Sequence, residues 1–433
     1  MTGDAILPCM AKNLKITIEK IGAGGDGIAT HEGQPVYVPK TAPGDIARVA
    51  VHDQNRDRLF AKLIQLETRG AERVASACPH DAVCGGCALQ HISAASYQAW
   101  TIEKVKTALT RAGVESQAWG EPVFIPPGTR RRTTLRALKH AGGIVMGYNE
   151  PGSSQIIDIE RCLVVEPALE AKMLALRPYL ARLLPERATI DLFLQHIDGQ
   201  YDLVIAGLGN AIGIEITHVM TEMANALDIA RISVRDKSFD TPDILLNRKP
   251  VIKKMGVMDV ILPPGAFLQA SVEGEDVLSK LVIQHIGKAT HIADLFAGCG
   301  TFSGRLVAKA RVHAVEQDAE VVNALKATKT RGLSAERRDL FKNPMGFQEL
   351  SPFDAIVFDP PRAGAQEQAT QIARSSVPIV VGVSCNPVSF ARDARLLQDG
   401  GYNMQSITIV DQFTWSSHVE LVALFKKQTR PKR

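Results

Sequence analysis

The sequence predicts an α/β fold in which a Rossmann-like, doubly wound sheet follows a small all-β unit and an α+β region. From about Leu281 onward, apolar runs typical of buried strands alternate with helical segments, as in a parallel sheet with helices on both faces. Between residues 12 and 68, short strands separated by glycine-rich turns predict a small closed barrel. A chain of 433 residues is also too long for one ordinary core, so several domains are expected.

The composition is that of a folded globular protein, with 45% hydrophobic and 22% charged residues. No apolar run approaches the ~20 residues needed to cross a bilayer, and the N-terminus lacks the basic leader and apolar core of a signal peptide. We therefore expect a cytoplasmic protein with no membrane association. In that compartment the seven cysteines are expected to bind metal or to take part in catalysis, not to form disulfides.

Basic residues are clustered, although the formal net charge is only +4. The clusters are Arg130–Arg132, Arg337–Arg338 and Lys426–Arg433, the last with five basic side chains and no acid. Such clusters can neutralise phosphates, and each is also compatible with an ordinary solvated surface. They favour a nucleic-acid partner without establishing one.

A glycine-rich segment, DLFAGCGT, follows a predicted strand at Asp294–Thr301. Gly298 and Gly300 would let the backbone pass close to a bound cofactor. Glu316 ends the next predicted strand, where a carboxylate can accept both ribose hydroxyls of an adenosine. The spacing misses the dinucleotide pattern by one residue, and the D-x-F-x-G-x-G form favours S-adenosylmethionine over NAD. A tight strand–helix turn is the purely structural alternative.

Two further motifs follow predicted strands, at Asp359-Pro360-Pro361-Arg362 and at Ser384-Cys385-Asn386-Pro387. Ligands of open α/β sheets bind outside the C-terminal ends of the strands, so Asp359 and Cys385 are expected to face a cleft. A thiol placed there can act as a nucleophile, or it can simply be a small buried hydrophobe. D-P-P loops also occur in enzymes that methylate exocyclic amines, so the motif alone does not fix the reaction.

Three other residues are weaker candidates because each has an ordinary structural explanation. Glu420, in His418-Val419-Glu420, could accept a proton if its surroundings are dry enough to make it basic. Phe267 could stack on a base, although in isolation it is more typical of a core residue. Gln269 could hydrogen-bond a base edge or the cofactor.

A cysteine constellation, Cys78-x5-Cys84-x2-Cys87 followed by Cys162, supplies four thiols. Gly85 and Gly86 would let the loop wrap around a metal centre. Four thiolates suit either zinc or an iron–sulfur cluster, and the spacing alone leaves both open.

Together these motifs resemble the RumA/TrmA-type RNA uridine C5-methyltransferases, most closely the RumA branch, over nearly the whole chain. The resemblance rests on the cysteine pattern and on the DLFAGCGTF, DPPRAGA, SCNP and HVE blocks in that order. It implies an OB-like TRAM barrel over residues 12–68 and a central iron–sulfur domain over 69–92 and 121–262. The methyltransferase domain would then comprise 93–120 and 263–433.

The resemblance also implies two cofactors, S-adenosylmethionine and a 4Fe-4S cluster. It assigns the cluster to Cys78, Cys84, Cys87 and Cys162. It assigns contacts with the methyl donor to Gln269, Phe296, Thr301, Glu316, Asp339 and Asp359. It casts Cys385 as the nucleophile and Glu420 as the general base.

The implied reaction is methylation of C5 of a specific uridine in RNA, through a bond between Cys385 and C6 of the uracil. The expected substrate is 23S rRNA, with tRNA as the alternative, and the expected enzyme is a monomer. One rival is an RNA N-methyltransferase that uses the Asp359–Arg362 loop. Another is a non-enzymatic iron–sulfur RNA-binding or assembly factor. A cytosine C5-methyltransferase is disfavoured because its usual Pro-Cys nucleophile is missing from the Asp359 loop.

Overall fold

A computed structural model describes residues 12–55, 57–209, 212–237 and 240–428. The end of the C-terminal basic cluster, from residue 429, lies outside the described residues. The chain divides into two compact units. One consists of the chain up to Lys104 together with Trp415–Ser417, and the other of Val105–Thr414 and the chain from His418 onward.

The first unit contains an all-β sheet whose strands are connected in the order β1-β5-β6-β4-β3-β2. The strands are β1 (Asn13–Thr17), β2 (Lys20–Ile21), β3 (Gly27–His31), β4 (Gln34–Val38), β5 (Ile46–Asn55) and β6 (Arg58–Thr68). Side chains alternate between buried and exposed along β1, as a sheet with one face on a core requires. Helix α1 (Ala94–Arg111) follows, and its residues fall in both units.

The second unit contains two large sheets. The first has the order β10-β9-β8-β11-β12-β13-β14, and its pairing is antiparallel except between β12 and β13. Its strands are β8 (Arg132–His140), β9 (Gly143–Asn149), β10 (Ile156–Asp158), β11 (Thr189–Ile197), β12 (Gln200–Ala206), β13 (Ile229–Arg235) and β14 (Asp243–Asn247). Its helices are α2 (Pro167–Ala175), α3 (Arg177–Leu183) and α4 (Ile214–Ala226). A hairpin, β15 (Ile252–Met255) and β16 (Met258–Ile261), comes next in the chain.

The second sheet has the order β19-β18-β17-β20-β21-β23-β22-β7. Its strands are β7 (Val123–Phe124), β17 (His291–Leu295), β18 (Arg311–Glu316), β19 (Leu333–Arg337), β20 (Ala355–Phe358), β21 (Ile379–Ser384), β22 (Tyr402–Asp411) and β23 (Glu420–Lys427). Its helices are α5 (Val272–Ile286), α6 (Ser303–Leu306), α7 (Ala319–Ala327), α8 (Phe347–Leu350), α9 (Gln366–Arg374) and α10 (Pro387–Asp399).

The α/β fold class with a doubly wound sheet is confirmed, with one refinement at the end of the sheet. Strands β17 to β21 are parallel, but β23 runs antiparallel to both β21 and β22. Strand β20 is buried along its whole length, as expected where helices cover both faces of a sheet. The division into three domains stays a prediction.

Helix α10 begins at Pro387, the last residue of the Ser-Cys-Asn-Pro motif. Proline is well suited to the first turn because its missing N–H would have no helical partner there. The side chain of Asn386 caps the helix by accepting the N–H of Val388 at 3.1 Å. The Ser-Cys-Asn-Pro motif is therefore a strand end joined directly to a helix cap, which fixes the position of Cys385.

Within the part of the chain that the structure describes, no helix is both long and apolar enough to cross a membrane.

Candidate active site

Strand register brings Cys385, Glu420 and Asp359 to one edge of the second sheet. Ser384, the last residue of β21, pairs with Leu421 of the antiparallel strand β23. Cys385 therefore leaves β21 where Glu420 enters β23. Asp359 follows Phe358, the last residue of β20, which is parallel to β21. The C-terminal ends of parallel strands meet at the same edge, where open α/β sheets bind their ligands.

A cavity of about 570 Å³ opens at this edge. It is lined by nearly all of the predicted catalytic and methyl-donor residues, namely Gln269, Phe296, Thr301, Glu316, Asp359, Cys385 and Glu420. Asp339 lies instead in an adjoining cleft, where its carboxylate accepts the backbone N–H groups of Phe341 and Lys342. The structure thus brings together the predicted residues except Asp339, and the contacts of all of them with the cofactor stay predictions.

The cofactor end of the cavity is built on the loop after β17. Gly298 has a φ of +51°, and a Cβ there would have no atom within 4 Å, so this glycine leaves open space above the loop. The Glu316 carboxylate accepts the N–H of Gly298 at 3.0 Å and those of Gln317 and Asp318 at 2.7 and 3.1 Å. These bonds hold a carboxylate at the position that suits the ribose hydroxyls of an adenosine. The residues therefore fit a nucleoside cofactor.

The catalytic end of the cavity holds three acids in dry surroundings. Burial, and then the nearby Asp359, raises the pKa of Glu420 to about 8. Burial, and then Asp294, raises the pKa of Asp359 to about 7. Burial and the two carboxyl groups together raise the pKa of the Cys385 thiol to about 12. Each value follows from the cost of holding negative charge away from water, close to other acids.

The arginine cluster at Arg130–Arg132 is not a simple surface patch. Arg131 is 2% exposed, and its guanidinium pairs with the buried carboxylate of Glu275, so it is not available to a phosphate. Arg132 lies with its guanidinium 4.4 Å from the ring centre of Phe267. Burial, together with Arg130 and Arg131, lowers the pKa of Arg132 to about 10, and Glu420 and Cys385 oppose that shift.

Phe267 and the second arginine cluster also differ from their sequence interpretations. Phe267 is 61% exposed and lines the cavity, so it is not a core residue. Arg338 pairs with Glu349 at 2.8 Å and with Glu336 at 3.4 Å, so its charge is already compensated within the fold.

Sequence reasoning missed Gln412, which follows β22 and is 5% exposed. Its side-chain N–H group reaches both Gln269 and Glu420. No motif marks this residue, because its place in the site comes from the pairing of β22 with β23.

The cysteine constellation is divided between the units, with Cys78, Cys84 and Cys87 in the first and Cys162 in the second. The N–H of Gly86 points at Cys84 Sγ at 3.3 Å, and the Tyr148 hydroxyl lies 3.8 Å from Cys162 Sγ. Thiols near hydrogen-bond donors are suitable ligands for iron. In the described ranges, however, no group of three or more His, Cys, Asp or Glu side chains is arranged to hold a metal ion. The predicted 4Fe-4S cluster is therefore not supported by the geometry.

Comparisons with known proteins agree with the fold and identify the family. Residues 11–64 match the TRAM domain, and residues 333–428 match the family described as tRNA (Uracil-5-)-methyltransferase. The chain is 42% identical to an RNA methyltransferase of Brucella suis over 96% of this chain and 99% of the relative. It is 30% identical to the 23S rRNA (uracil(1939)-C(5))-methyltransferase RlmD of Pectobacterium atrosepticum, over 97% of this chain and 95% of the relative.

One solved structure has the same fold at a TM-score of 0.70. It is the tRNA (uracil-54, C5)-methyltransferase of Pyrococcus abyssi in complex with S-adenosyl-L-homocysteine. The two sequences are 23% identical, and the match covers 95% of this chain and 99% of the Pyrococcus chain. The two relatives that match over nearly their full length establish the family of this chain. The chain belongs to the RumA/TrmA-type family of S-adenosylmethionine-dependent RNA (uracil-C5)-methyltransferases.

The Glu316 carboxylate is expected to carry much of the affinity for the nucleoside. Glu316→Gln removes the charge that suits two ribose hydroxyls, and hydrogen bonds to charged groups contribute about 1.5–3 kcal/mol. We expect S-adenosylhomocysteine to bind roughly tenfold to a hundredfold more weakly, as measured by isothermal titration calorimetry.

The matched control is Glu367→Gln, which removes an exposed carboxylate from α9 in the same unit. Equal affinities for the wild type and Glu316→Gln would show that Glu316 does not bind the nucleoside.

Proposed function

We propose that the protein methylates C5 of one uridine in 23S rRNA through a covalent bond between Cys385 and C6 of the uracil. The observation that carries the proposal is the meeting of a thiol, Cys385, and a buried carboxyl, Glu420, at one sheet edge within the cofactor cavity. Similarity to a relative named for 23S rRNA, over nearly the full length of both chains, supports the choice of substrate. A tRNA uridine is the second candidate.

The chemistry explains why both groups are needed. C5 of uracil is a weak nucleophile, but addition of a thiolate to C6 gives it the electron density of an enolate carbon. S-adenosylmethionine, when bound, would supply the methyl group that C5 takes up with its enolate electron pair, and the electrons of the broken S–CH3 bond would stay on the sulfur of the departing S-adenosylhomocysteine. Glu420 then removes the proton from C5, and the electron pair of that C–H bond forms the C5–C6 double bond while the C6–S bond breaks. The sulfur of Cys385 leaves with its electron pair as the thiolate.

The surrounding charges support these roles. Burial and the two nearby carboxyl groups raise the pKa of Cys385, and Arg362 opposes that rise and so favours the thiolate. We assign to Arg132 the role of stabilising the negative charge that develops on the uracil. Its Nε is buried and has no hydrogen-bond partner among the described residues. Glu420 has the raised pKa that suits a general base working near neutral pH.

The binding roles of the remaining cavity residues are part of the same proposal. Gln269, Phe296, Thr301 and Glu316 would hold S-adenosylmethionine, with Asp359 between the donor and the target base. Phe267 is exposed at the cavity, where it could stack on an extruded base and offset part of the unstacking cost of a few kcal/mol.

The iron–sulfur cluster is proposed on the chemistry of its ligands alone. Cys78, Cys84, Cys87 and Cys162 would hold it as thiolates, and its role would be structural, because Cys385 and Glu420 suffice for proton and methyl transfer. A cytoplasmic location and a monomeric state, both expected from the sequence, belong to this proposal as well.

The reaction class is tested by the release of tritium from RNA labelled at uracil C5. We expect the wild type to release tritium in step with methyl incorporation and Cys385→Ala to fall to background, because C5 cannot react without the C6 adduct. Unmodified transcripts of 23S rRNA and of tRNA, compared side by side, test the choice of substrate.

Binding of the same RNA to Cys385→Ala, followed by fluorescence anisotropy, is the control for folding. Methyl incorporation without tritium release would contradict C5 chemistry and favour methylation of an exocyclic amine. Release from the tRNA transcript alone would overturn the 23S rRNA assignment.

The general base is tested by Glu420→Gln. Loss of a general base typically costs about 10²–10⁴-fold in rate, so turnover should nearly vanish while the Cys385–RNA adduct accumulates as a band that resists denaturing gel electrophoresis. In the wild type the carboxylate is the active form. Activity should therefore be low below the pKa of about 8 and rise as the pH increases through it.

A wild-type rate that does not depend on pH between 6 and 9, or Glu420→Gln turning over at the wild-type rate without an adduct, would remove Glu420 from this role.

The cluster is tested by metal analysis of protein purified without oxygen. We expect about four iron and four sulfide per chain in the wild type and a marked loss in Cys84→Ser. Cys299→Ser, which changes a buried cysteine outside the constellation, should keep its iron. Wild-type protein that contains zinc, or no metal, would contradict the cluster.

A further inference from the structure

Gln412 occupies a buried position between two groups of the active site. It directly follows β22, and the pairing of Val410 with Glu420 brings the end of β22 beside the start of β23. Its Nε2 lies 2.7 Å from Gln269 Oε1 and 3.3 Å from Glu420 Oε1. A primary amide has two N–H donors, so both hydrogen bonds can form at once.

The hydrogen bonds continue beyond Gln269. The Nε2 of Gln269 lies 3.4 Å from Asp359 Oδ2, so two amides connect the carboxyl groups of Glu420 and Asp359. The orientation of each amide follows from its neighbour. The Asp359 carboxylate takes the N–H side of Gln269, which leaves the Gln269 oxygen to accept from Gln412.

The packing around Gln412 keeps this arrangement at a cost. Its Oε1 is buried and has no donor among the described residues. A Cβ at Gly274, in the first turn of α5, would lie 2.5 Å from this oxygen, so the absence of a side chain at position 274 makes room for it. A buried acceptor without a partner is unfavourable, and such groups are rare in folded proteins.

We propose that Gln412 is a positioning residue: its amide holds the Glu420 carboxylate and the Gln269 amide in the relative positions that proton removal from C5 requires. The proposal rests on the proposed function, since it assigns a task to a residue beside the general base. Through Gln269, which is proposed to hold S-adenosylmethionine, the same side chain connects the general base to the methyl-donor site.

Gln412 also favours the charged form of Glu420, because a carboxylate accepts the N–H bond better than a neutral acid does. The other charged groups that face Glu420 are Asp359, which opposes its ionisation, and Arg132, which favours it; the nearby Cys385 thiol, with its raised pKa, stays neutral while Glu420 titrates. Loss of the Gln412 donor shifts the ionisation equilibrium of Glu420 toward the protonated acid, which cannot act as a base.

The test is Gln412→Met, which keeps the length of the side chain and removes its N–H donors. The single-turnover rate of tritium release is measured from pH 6 to 10 with wild-type and variant enzyme. The free energy of one hydrogen bond to a charged group corresponds to a shift of about one pKa unit or more. We therefore expect the midpoint of the rising part of the pH–rate profile to move upward by about one pH unit. The rate should fall about tenfold at pH 7 and approach the wild-type rate at the alkaline end.

Gln368→Met is the matched control. Gln368 is a fully buried glutamine on α9 that bonds the backbone of Met345, at 2.8 and 3.1 Å. Its loss should lower thermal stability without moving the midpoint. Gln412→Asn, which keeps an amide but is one methylene shorter, is a second variant should Gln412→Met fail to fold. It should shift the midpoint in the same direction, because the amide no longer reaches Glu420.

A uniform loss of rate with an unchanged midpoint would overturn the inference and leave Gln412 a packing residue. The absence of tritium release from the wild type itself would instead contradict the proposed function, and this inference with it.

Discussion

The antiparallel pairing of β23 with β21 is the constraint on which the active site depends. In a wholly parallel sheet, the residue that begins a strand lies at the opposite edge from the residues that end its neighbours. Because β23 is reversed, its first residue, Glu420, meets the end of β21 and therefore Cys385. Strand β22 is antiparallel to β23 and so runs in the same direction as β21, which places its end, and with it Gln412, at this edge as well. The single reversed strand thus brings the base to the edge where the nucleophile and the positioning amide already lie.

The assembled groups oppose one another electrostatically. Burial disfavours the anionic forms of Glu420, Asp359 and Cys385, Asp359 further raises the pKa of Glu420, and both carboxyl groups further raise the pKa of Cys385. The arrangement is tolerable because the protonated forms are available and because Arg132 and Arg362 lie near enough to favour ionisation. A site balanced in this way can change its protonation state at small cost, which is what a reaction that removes a proton requires.

The sequence predicted those site residues that belong to local motifs, and it did not predict those that depend on contacts between distant parts of the chain. The strand-end positions of Asp359 and Cys385 followed from apolar runs closed by turn residues. Gln412 could not be found, because its neighbours depend on the register between β22 and β23. The burial of Arg131 against Glu275 was hidden for the same reason, since 144 positions separate the two residues. The pairing of the sheet from β8 to β14 was likewise beyond local patterns.

Covalent catalysis by Cys385 is tested most directly with a 23S rRNA transcript that carries 5-fluorouridine, incubated with the enzyme and S-adenosylmethionine. The general base cannot remove fluorine from C5 as it removes a proton, so the reaction should stop after methyl transfer. The account predicts a complex that survives denaturation, carries the methyl group and maps by mass spectrometry to the peptide containing Cys385. Methylated RNA without a covalent complex, or a complex attached to another residue, would contradict it.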